Sequence, residues 1–132
     1  MPADNAHASL VFIHGGGSNR HSTFFNSVPF YKAMVDSGIN VTAIDLRNHG
    51  FSDDDPGGVQ FGLVEKYDAL AAIRWTQAMQ PELPVFLMGI SMGGATSIHA
   101  ASAGADIQGL ILLDSLLDTA DTFSRGGTAQ TG

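Results

Sequence analysis

A serine stands between two glycines at the end of an apolar run, in the segment Val85–Gly94. The run Val85–Met88 predicts a buried strand, and the small residues that follow the serine predict a helix. A serine on a sharp strand-to-helix turn projects its hydroxyl from a strained backbone, and glycine at positions 89 and 93 leaves room for that turn. This spacing predicts a nucleophile elbow, in which Ser91 attacks a carbonyl carbon.

The start of the predicted helix adds a second chemical group. Its free backbone N–H groups and the positive end of its dipole favour an oxyanion that forms beside Ser91, so the N–H of Met92 is a candidate oxyanion donor. The alternative is a plain glycine-rich turn without chemistry. Nucleotide binding is excluded by spacing, because a dinucleotide turn needs glycine where Ser91 stands and a phosphate-binding loop needs a lysine that is absent from the glycine-rich turns.

The elements that must position this serine are visible as apolar patterns. Four apolar runs predict buried strands: Leu10–Ile13, Val41–Ile44, Val85–Met88 and Leu110–Leu113. A first helix is predicted by a stripe that stops at Gly38, formed by Phe30, Tyr31, Met34 and Val35. A second is predicted by a stripe that ends before Pro81 and Pro84, formed by Leu63, Tyr67, Leu70, Ala71, Trp75 and Ala78.

A third predicted helix runs from the serine turn to Gly104 and consists largely of small residues, which allow close packing on a sheet. Strands and helices therefore alternate along the whole chain. This order predicts the α/β class: a parallel, doubly wound sheet of about four strands with helices on both faces, in three layers.

Three blocks of the sequence resemble the α/β-hydrolase superfamily, and within it the serine hydrolases that include lysophospholipases, monoglyceride lipases and esterases. The blocks are Val11–Gly16, Ala43–Ser52 and Phe86–Gly94, in the order and spacing of the family's third, fourth and fifth strands. The resemblance implies that the N–H of Gly16 is a second oxyanion donor opposite the elbow. The middle block departs from the family at Asn48, where glycine is usual, but asparagine tolerates the left-handed conformation.

The histidines do not supply an evident base for the serine. In the resembled family His14 and His49 shape loops and are not catalytic. The one histidine after Ser91 is His99, which lies eight positions along the predicted helix, about 12 Å away at the usual helical rise. We therefore expect His99 to be a helix-face residue.

The acid of a catalytic triad is equally unassigned. Asp114 ends the last predicted strand at the edge of the sheet where ligands bind, and is either a structural aspartate or an acid in a less common arrangement. Asp118 and Asp121 are weaker candidates. Because a full hydrolase sheet has about eight strands, the resemblance implies the N-terminal half of the fold. The chain is then a fragment, a truncated gene product or a shortened form, or a second chain completes the site.

Composition limits the function further. The chain has 132 residues, 6 basic against 13 acidic side chains and no cysteine, for a net charge of −7. We expect one domain over residues 1–123, an exposed loop over 53–58 and a disordered tail over 124–132. The negative charge argues against nucleic acid, and no metal or organic cofactor is needed. With neither a signal peptide nor a transmembrane run, a cytoplasmic location is the default expectation.

These observations lead to an expected function with two alternatives. The expected function is hydrolysis of small-molecule carboxylic esters by Ser91. The first alternative is a non-catalytic remnant that binds a ligand or a partner, and the second is an acyltransferase that uses the same serine. In each case truncation would expose apolar sheet edges, which predicts self-association.

Overall fold

A computed structural model of the chain describes residues 1–15, 19–20, 26–49, 52 and 62–113. Four strands and three helices alternate in it: β1 (Ala8–Ile13), α1 (Ser27–Asp36), β2 (Ile39–Ile44), α2 (Lys66–Met79), β3 (Val85–Ile90), α3 (Met92–Ser102) and β4 (Gly109–Leu113). The strands form one sheet in the order β2-β1-β3-β4, and every neighbouring pair is parallel. The predicted α/β class and the four parallel strands are confirmed.

Each face of the sheet has its own apolar core, because the two central strands carry bulky apolar side chains on both faces. Beneath α2 and α3 the core includes Val11, Ile13, Ile73 and Leu87. On the opposite face, Phe12 and Met88 pack with the α1 residue Tyr31. Helices therefore cover both faces, and the predicted three-layer arrangement is confirmed.

The strand order brings the ends of β1 and β3 together. These strands are neighbours, with Ile13 opposite Gly89, so the residues that follow each strand leave the sheet at the same edge. In open α/β sheets, ligands bind at the carboxyl edge of the strands. The histidine after β1 and the serine after β3 consequently lie side by side there.

The second helix buries a different face from the one that its apolar stripe indicated. Its fully buried residues are Ala69, Ala72, Ile73 and Thr76, whereas Tyr67 is 55% exposed and Trp75 is 58% exposed. Small residues let α2 approach the sheet and α3 closely. Ile73 is buried in the core, and Leu70 packs against it, whereas Tyr67 and Trp75 lie on the outer face. The helix itself was predicted correctly, but of its apolar stripe Leu70 packs against the core while Tyr67 and Trp75 do not.

The last strand forms one edge of the described sheet. Leu110, Ile111 and Leu112 of β4 are each between 36% and 44% exposed, which is high for a strand composed almost entirely of leucine and isoleucine. The predicted exposed loop at 53–58 and the predicted tail at 124–132 lie outside the described residues, as does the end of the predicted domain. Within the described ranges, no helix combines the length and apolar character needed to cross a bilayer.

Candidate active site

Ser91 occupies a backbone conformation that side chains rarely adopt. Its φ is 53° and its ψ is −118°, directly between the end of β3 and the first residue of α3. A non-glycine residue at positive φ stores local strain that the surrounding structure must hold. Here the Ser91 N–H donates to Leu113 O at 2.9 Å, and Ser91 O accepts from Gly94 N–H at 2.9 Å.

The Ser91 side chain does not cap the helix that follows it. A serine before a helix usually accepts a hydrogen bond from a backbone N–H of the first turn. The Ser91 side chain makes no such hydrogen bond, and the residue is half-buried. The hydroxyl is therefore not used as a cap of α3.

Two glycines make this turn sterically possible. A Cβ on Gly93 would lie 2.1 Å from Ile13 O and 2.4 Å from His14 O, and a Cβ on Gly89 would lie 2.2 Å from Gly93 O. Any side chain at either position would collide with backbone. The prediction that both positions flanking Ser91 require glycine is confirmed, and the first turn of α3 rests directly on the end of β1.

The loop after β1 reaches the same serine. A Cβ built on Gly15 would be 3.4 Å from Ser91 Cβ and 4.0 Å from Ser91 Oγ. Met92, whose N–H is the first candidate oxyanion donor, is 1% exposed at the start of α3. Gly16, the second candidate donor, lies outside the described residues, next in sequence to Gly15.

Both ring nitrogens of His14 form hydrogen bonds with the backbone. Its Nδ1 is 2.7 Å from Gly15 O, and because a carbonyl only accepts, Nδ1 carries the proton. The Leu46 N–H donates to Nε2 at 3.0 Å. The neutral imidazole thus ties the loop after β1 to the end of β2, and neither nitrogen is free to take a proton from Ser91.

Burial favours this neutral form of His14. Its side chain is fully buried, and desolvation lowers its pKa from the ordinary value of 6.5, with a smaller contribution in the same direction from nearby His49. The rings of His14 and His49 are 4.9 Å apart. Protonating His14 would place a charge in this buried site and break the bond from Leu46.

We expect the folded chain to lose stability as the pH falls below about 6.5, the ordinary pKa of histidine. The pKa of His14 is lowered in the folded state, so the unfolded chain binds the proton first. The stabilising contribution is complete above the unfolded pKa and is lost toward the folded pKa, at up to about 1.4 kcal/mol per pH unit for one group. Denaturant unfolding at about pH 7.5 and about pH 5.5 measures the difference.

The matched variant for this prediction is His14→Asn, which keeps an N–H donor for Gly15 O and does not titrate. Its free energy of unfolding should be lower than that of the wild type at about pH 7.5 and should fall less between the two pH values. An equal fall in both proteins would show that His14 does not carry the acid sensitivity.

The two other candidate histidines make contacts of their own. His49 lies 2.9 Å from Arg47 O through Nδ1 and packs on His14. His99 lies on α3 against the backbone at Gly62, eight residues and about 12 Å from Ser91 at the usual helical rise. The candidate acids Asp114, Asp118 and Asp121 lie outside the described residues.

The turn after β2 contains interactions that the sequence did not reveal. Asn48 has a φ of 65°, as its left-handed tolerance predicted. The neighbouring Arg47 forms a forked ion pair with Asp68, with Nε and Nη2 each 3.0 Å from a different carboxylate oxygen. The Arg47 backbone N–H binds the same carboxylate at 2.9 Å. This pair fastens the turn to the start of α2.

Asp45 anchors the other side of the same region. It is 7% exposed, accepts the Arg20 N–H at 2.9 Å and lies 3.6 Å from the Arg20 guanidinium. Tyr31 donates in turn to Arg20 O at 2.6 Å. The described residues contain no group of three histidine or carboxylate side chains arranged to hold a metal ion.

Comparison with known proteins finds a matching family and several relatives. The family described as serine aminopeptidase, S33, matches residues 4–129. The chain is 34% identical to the monoglyceride lipase of Rattus norvegicus over 111 residues, which are 83% of this chain and 35% of that protein. It is 31% identical to an esterase of Mycobacterium tuberculosis over 106 residues, covering 80% of this chain and 32% of that protein.

A solved structure shares this fold. An esterase of Pyrococcus furiosus superposes with a TM-score of 0.79 at 25% identity, over 92% of this chain and 47% of that one. The chain therefore spans about a third of the length of the two curated relatives and about half of the solved one.

Proposed function

Because this chain belongs to the serine aminopeptidase S33 family of α/β hydrolases, we propose that it carries the nucleophile-bearing half of a carboxylic ester hydrolase. Ser91 is the proposed nucleophile, and the observation that carries the proposal is its strained φ of 53° at a strand-to-helix turn. The ester specificity is supported by the relatives named as a monoglyceride lipase and an esterase. The proposed substrate is a small-molecule ester.

In the proposed reaction, Ser91 Oγ attacks the ester carbonyl carbon and loses its proton. The carbonyl electrons move onto oxygen, and the N–H groups of Met92 and Gly16 stabilise the oxyanion. Collapse of this intermediate breaks the carbon–oxygen bond to the alcohol. The alcohol departs with a proton, and the acyl group stays on Ser91. Water then releases the carboxylic acid and restores the serine.

The described residues support the binding of the oxyanion better than they support proton transfer. Gly15 and the start of α3 both border Ser91, whereas His14 uses both of its nitrogens elsewhere. A serine hydroxyl is a poor nucleophile without a neighbouring base. We propose that none of the described histidines is this base, and the second candidate function, a non-catalytic remnant, follows if no base is supplied.

Covalent labelling with a fluorophosphonate tests the role of Ser91. We expect the wild-type chain to gain one phosphonyl group, mapped by peptide mass spectrometry to Ser91, and Ser91→Ala to gain none. Ser102→Ala, at the exposed end of the same helix, is the matched control and should label like the wild type. If the folded wild type does not label, or if Ser91→Ala labels equally, Ser91 is not an active nucleophile and the remnant function is favoured.

A further inference from the structure

The carboxylate of Asp68 accepts three hydrogen bonds from a single residue. Arg47 directs its Nε and Nη2 to different oxygens of that carboxylate, each at 3.0 Å, and its backbone N–H donates to Oδ2 at 2.9 Å. A forked pair of this kind is stronger than a single bond and fixes the plane of the guanidinium. Because the backbone N–H takes part, Asp68 holds the main chain of Arg47 as well as its side chain.

Arg47 is the second residue of a tight turn over residues 46–49. The His49 N–H donates to Leu46 O at 3.0 Å and closes the turn. Asn48, at the third position, has a φ of 65°, and a positive φ at this position is what a type II turn requires. The bonds from Arg47 to Asp68 therefore hold the whole turn, including Leu46 at its start.

The first residue of this turn determines the tautomer of His14. The buried Leu46 donates its N–H to His14 Nε2 at 3.0 Å. A ring nitrogen that accepts a hydrogen bond carries no proton, so the proton of the neutral imidazole lies on Nδ1. Nδ1 then donates to Gly15 O at 2.7 Å. The bond to Gly15 O thus depends on the bond from Leu46.

The carbonyl of Gly15 determines the direction of the next backbone N–H. A peptide unit is planar and almost always trans, so its N–H points opposite to its C=O. The N–H that follows Gly15 O belongs to Gly16, the second proposed oxyanion donor. Gly15 itself borders the nucleophile, since a Cβ built on it would lie 3.4 Å from Ser91 Cβ. A bond that fixes Gly15 O therefore fixes the direction of this proposed donor.

We propose that Asp68 is a positioning residue for the oxyanion site, which it reaches through Arg47 and His14. The inference rests on the proposed function, in which the Gly16 N–H stabilises the oxyanion. Asp68 holds the turn that gives His14 one tautomer, and His14 holds the Gly15 carbonyl. An N–H that already points at the developing charge stabilises it without reorganisation. The ion pair therefore contributes to the rate of attack by Ser91 and not to the binding of the ester.

The ¹⁵N signals of the His14 ring test the first part of this connection, because protonated and unprotonated imidazole nitrogens resonate far apart. At about pH 7.5 we expect the wild type to show its proton on Nδ1, with the signals assigned by their loss in His14→Asn. Asp68→Asn removes the charge and keeps the size of the side chain. In this variant the two signals should move toward each other, because the second tautomer becomes populated.

The kinetics of fluorophosphonate labelling test the second part. At saturating probe, Asp68→Asn should label Ser91 about tenfold more slowly than the wild type, because a donor that is no longer directed loses part of its effect. The probe concentration that gives half the maximal rate should not change, since this bond strengthens only as charge develops. A role in stability alone would lower the free energy of unfolding and leave the labelling rate of the folded chain unchanged.

Two further variants calibrate both measurements. Glu82→Gln removes an exposed carboxylate beyond the far end of α2 and should keep the wild-type signals and labelling rate. Arg47→Lys keeps the positive charge but cannot form the fork, and should show a smaller change than Asp68→Asn in the same direction. If Asp68→Asn does not fold, Arg47→Lys takes its place.

Two results would overturn the proposal. The first is wild-type ring-nitrogen signals in the folded variant, which would show that the ion pair does not set the tautomer of His14. The second is altered signals with an unaltered labelling rate, which would show that His14 does not direct an oxyanion donor. A wild-type chain that does not label contradicts the proposed function instead, and the ring-nitrogen signals alone then decide whether Asp68 positions His14.

Discussion

Replacing Gly93 with alanine is expected to lower the free energy of unfolding by about 3 kcal/mol or more, because the new methyl group has no space. Its carbon would lie 2.1 Å from Ile13 O and 2.4 Å from His14 O. Both contacts are with backbone, which cannot rotate away as a flexible side chain can. The helix α3 must then lift from the end of β1, and this movement displaces Ser91 as well. Guanidinium chloride unfolding measures the loss of stability, and fluorophosphonate labelling measures the effect on the serine.

Gly104→Ala is the control that separates collision from backbone strain. Gly104 has a φ of 94°, but a Cβ there meets nothing within 4 Å. Its replacement should therefore cost only the strain of a left-handed residue, about 1 to 2 kcal/mol. If Gly93→Ala costs no more than Gly104→Ala, helix α3 does not rest on β1 as tightly as the distances indicate.

The close approach at Gly93 also explains why this part of the molecule was predictable from sequence. A strand, two glycines around one serine and a helix of small residues leave few ways to fold locally. The same holds for the four strands, because apolar runs that end at turns are strongly favoured to be buried. Local residue types constrained these elements strongly, and the structure has them within a few residues of the predicted positions.

The outer face of α2 could not be predicted in the same way. Its largest apolar residues lie at helical spacing, yet the helix packs through Ala69, Ala72 and Ile73. Which face of α2 is buried depends on how closely the sheet and α3 approach it. The sequence pattern of one helix carries no information about that distance.

The interactions around the turn after β2 depend on tertiary contact too. Arg47 and Asp68 are 21 positions apart, and nothing in their spacing predicts the forked ion pair between them. The hydrogen bond between His14 and Leu46 joins residues that are 32 positions apart. The resemblance to a family implied that His14 was structural, but only the fold shows what it binds and why it is unavailable as a base.

Among the described residues, the carboxyl edge of the sheet therefore combines a strained serine with His14, whose two ring nitrogens both bind backbone. In the proposed function, the dipole of α3 and the N–H groups at its start favour an oxyanion at Ser91. Deprotonation of the hydroxyl requires a further group. The two requirements are separable, and the pH dependence of the reaction of Ser91 distinguishes them.

The rate at which a fluorophosphonate labels Ser91 in this chain is expected to rise about tenfold for each pH unit from about pH 6 to about pH 9. Without a base, only the alkoxide reacts, and its fraction grows tenfold per pH unit while the pH stays below the pKa of the hydroxyl. A histidine base would instead make the rate level off near the ordinary histidine pKa of about 6.5.

The reason to expect the continuous rise lies in the three candidate histidines. His14 uses both ring nitrogens, His49 packs on His14, and His99 is eight residues along α3 from the serine. Replacing His49 or His99 with asparagine should therefore leave the slope of the pH profile unchanged, with Ser91→Ala defining the background at each pH. A plateau near neutral pH that disappears in one of these variants would identify that histidine as the base and would show that the half-sheet rearranges to activate its own serine.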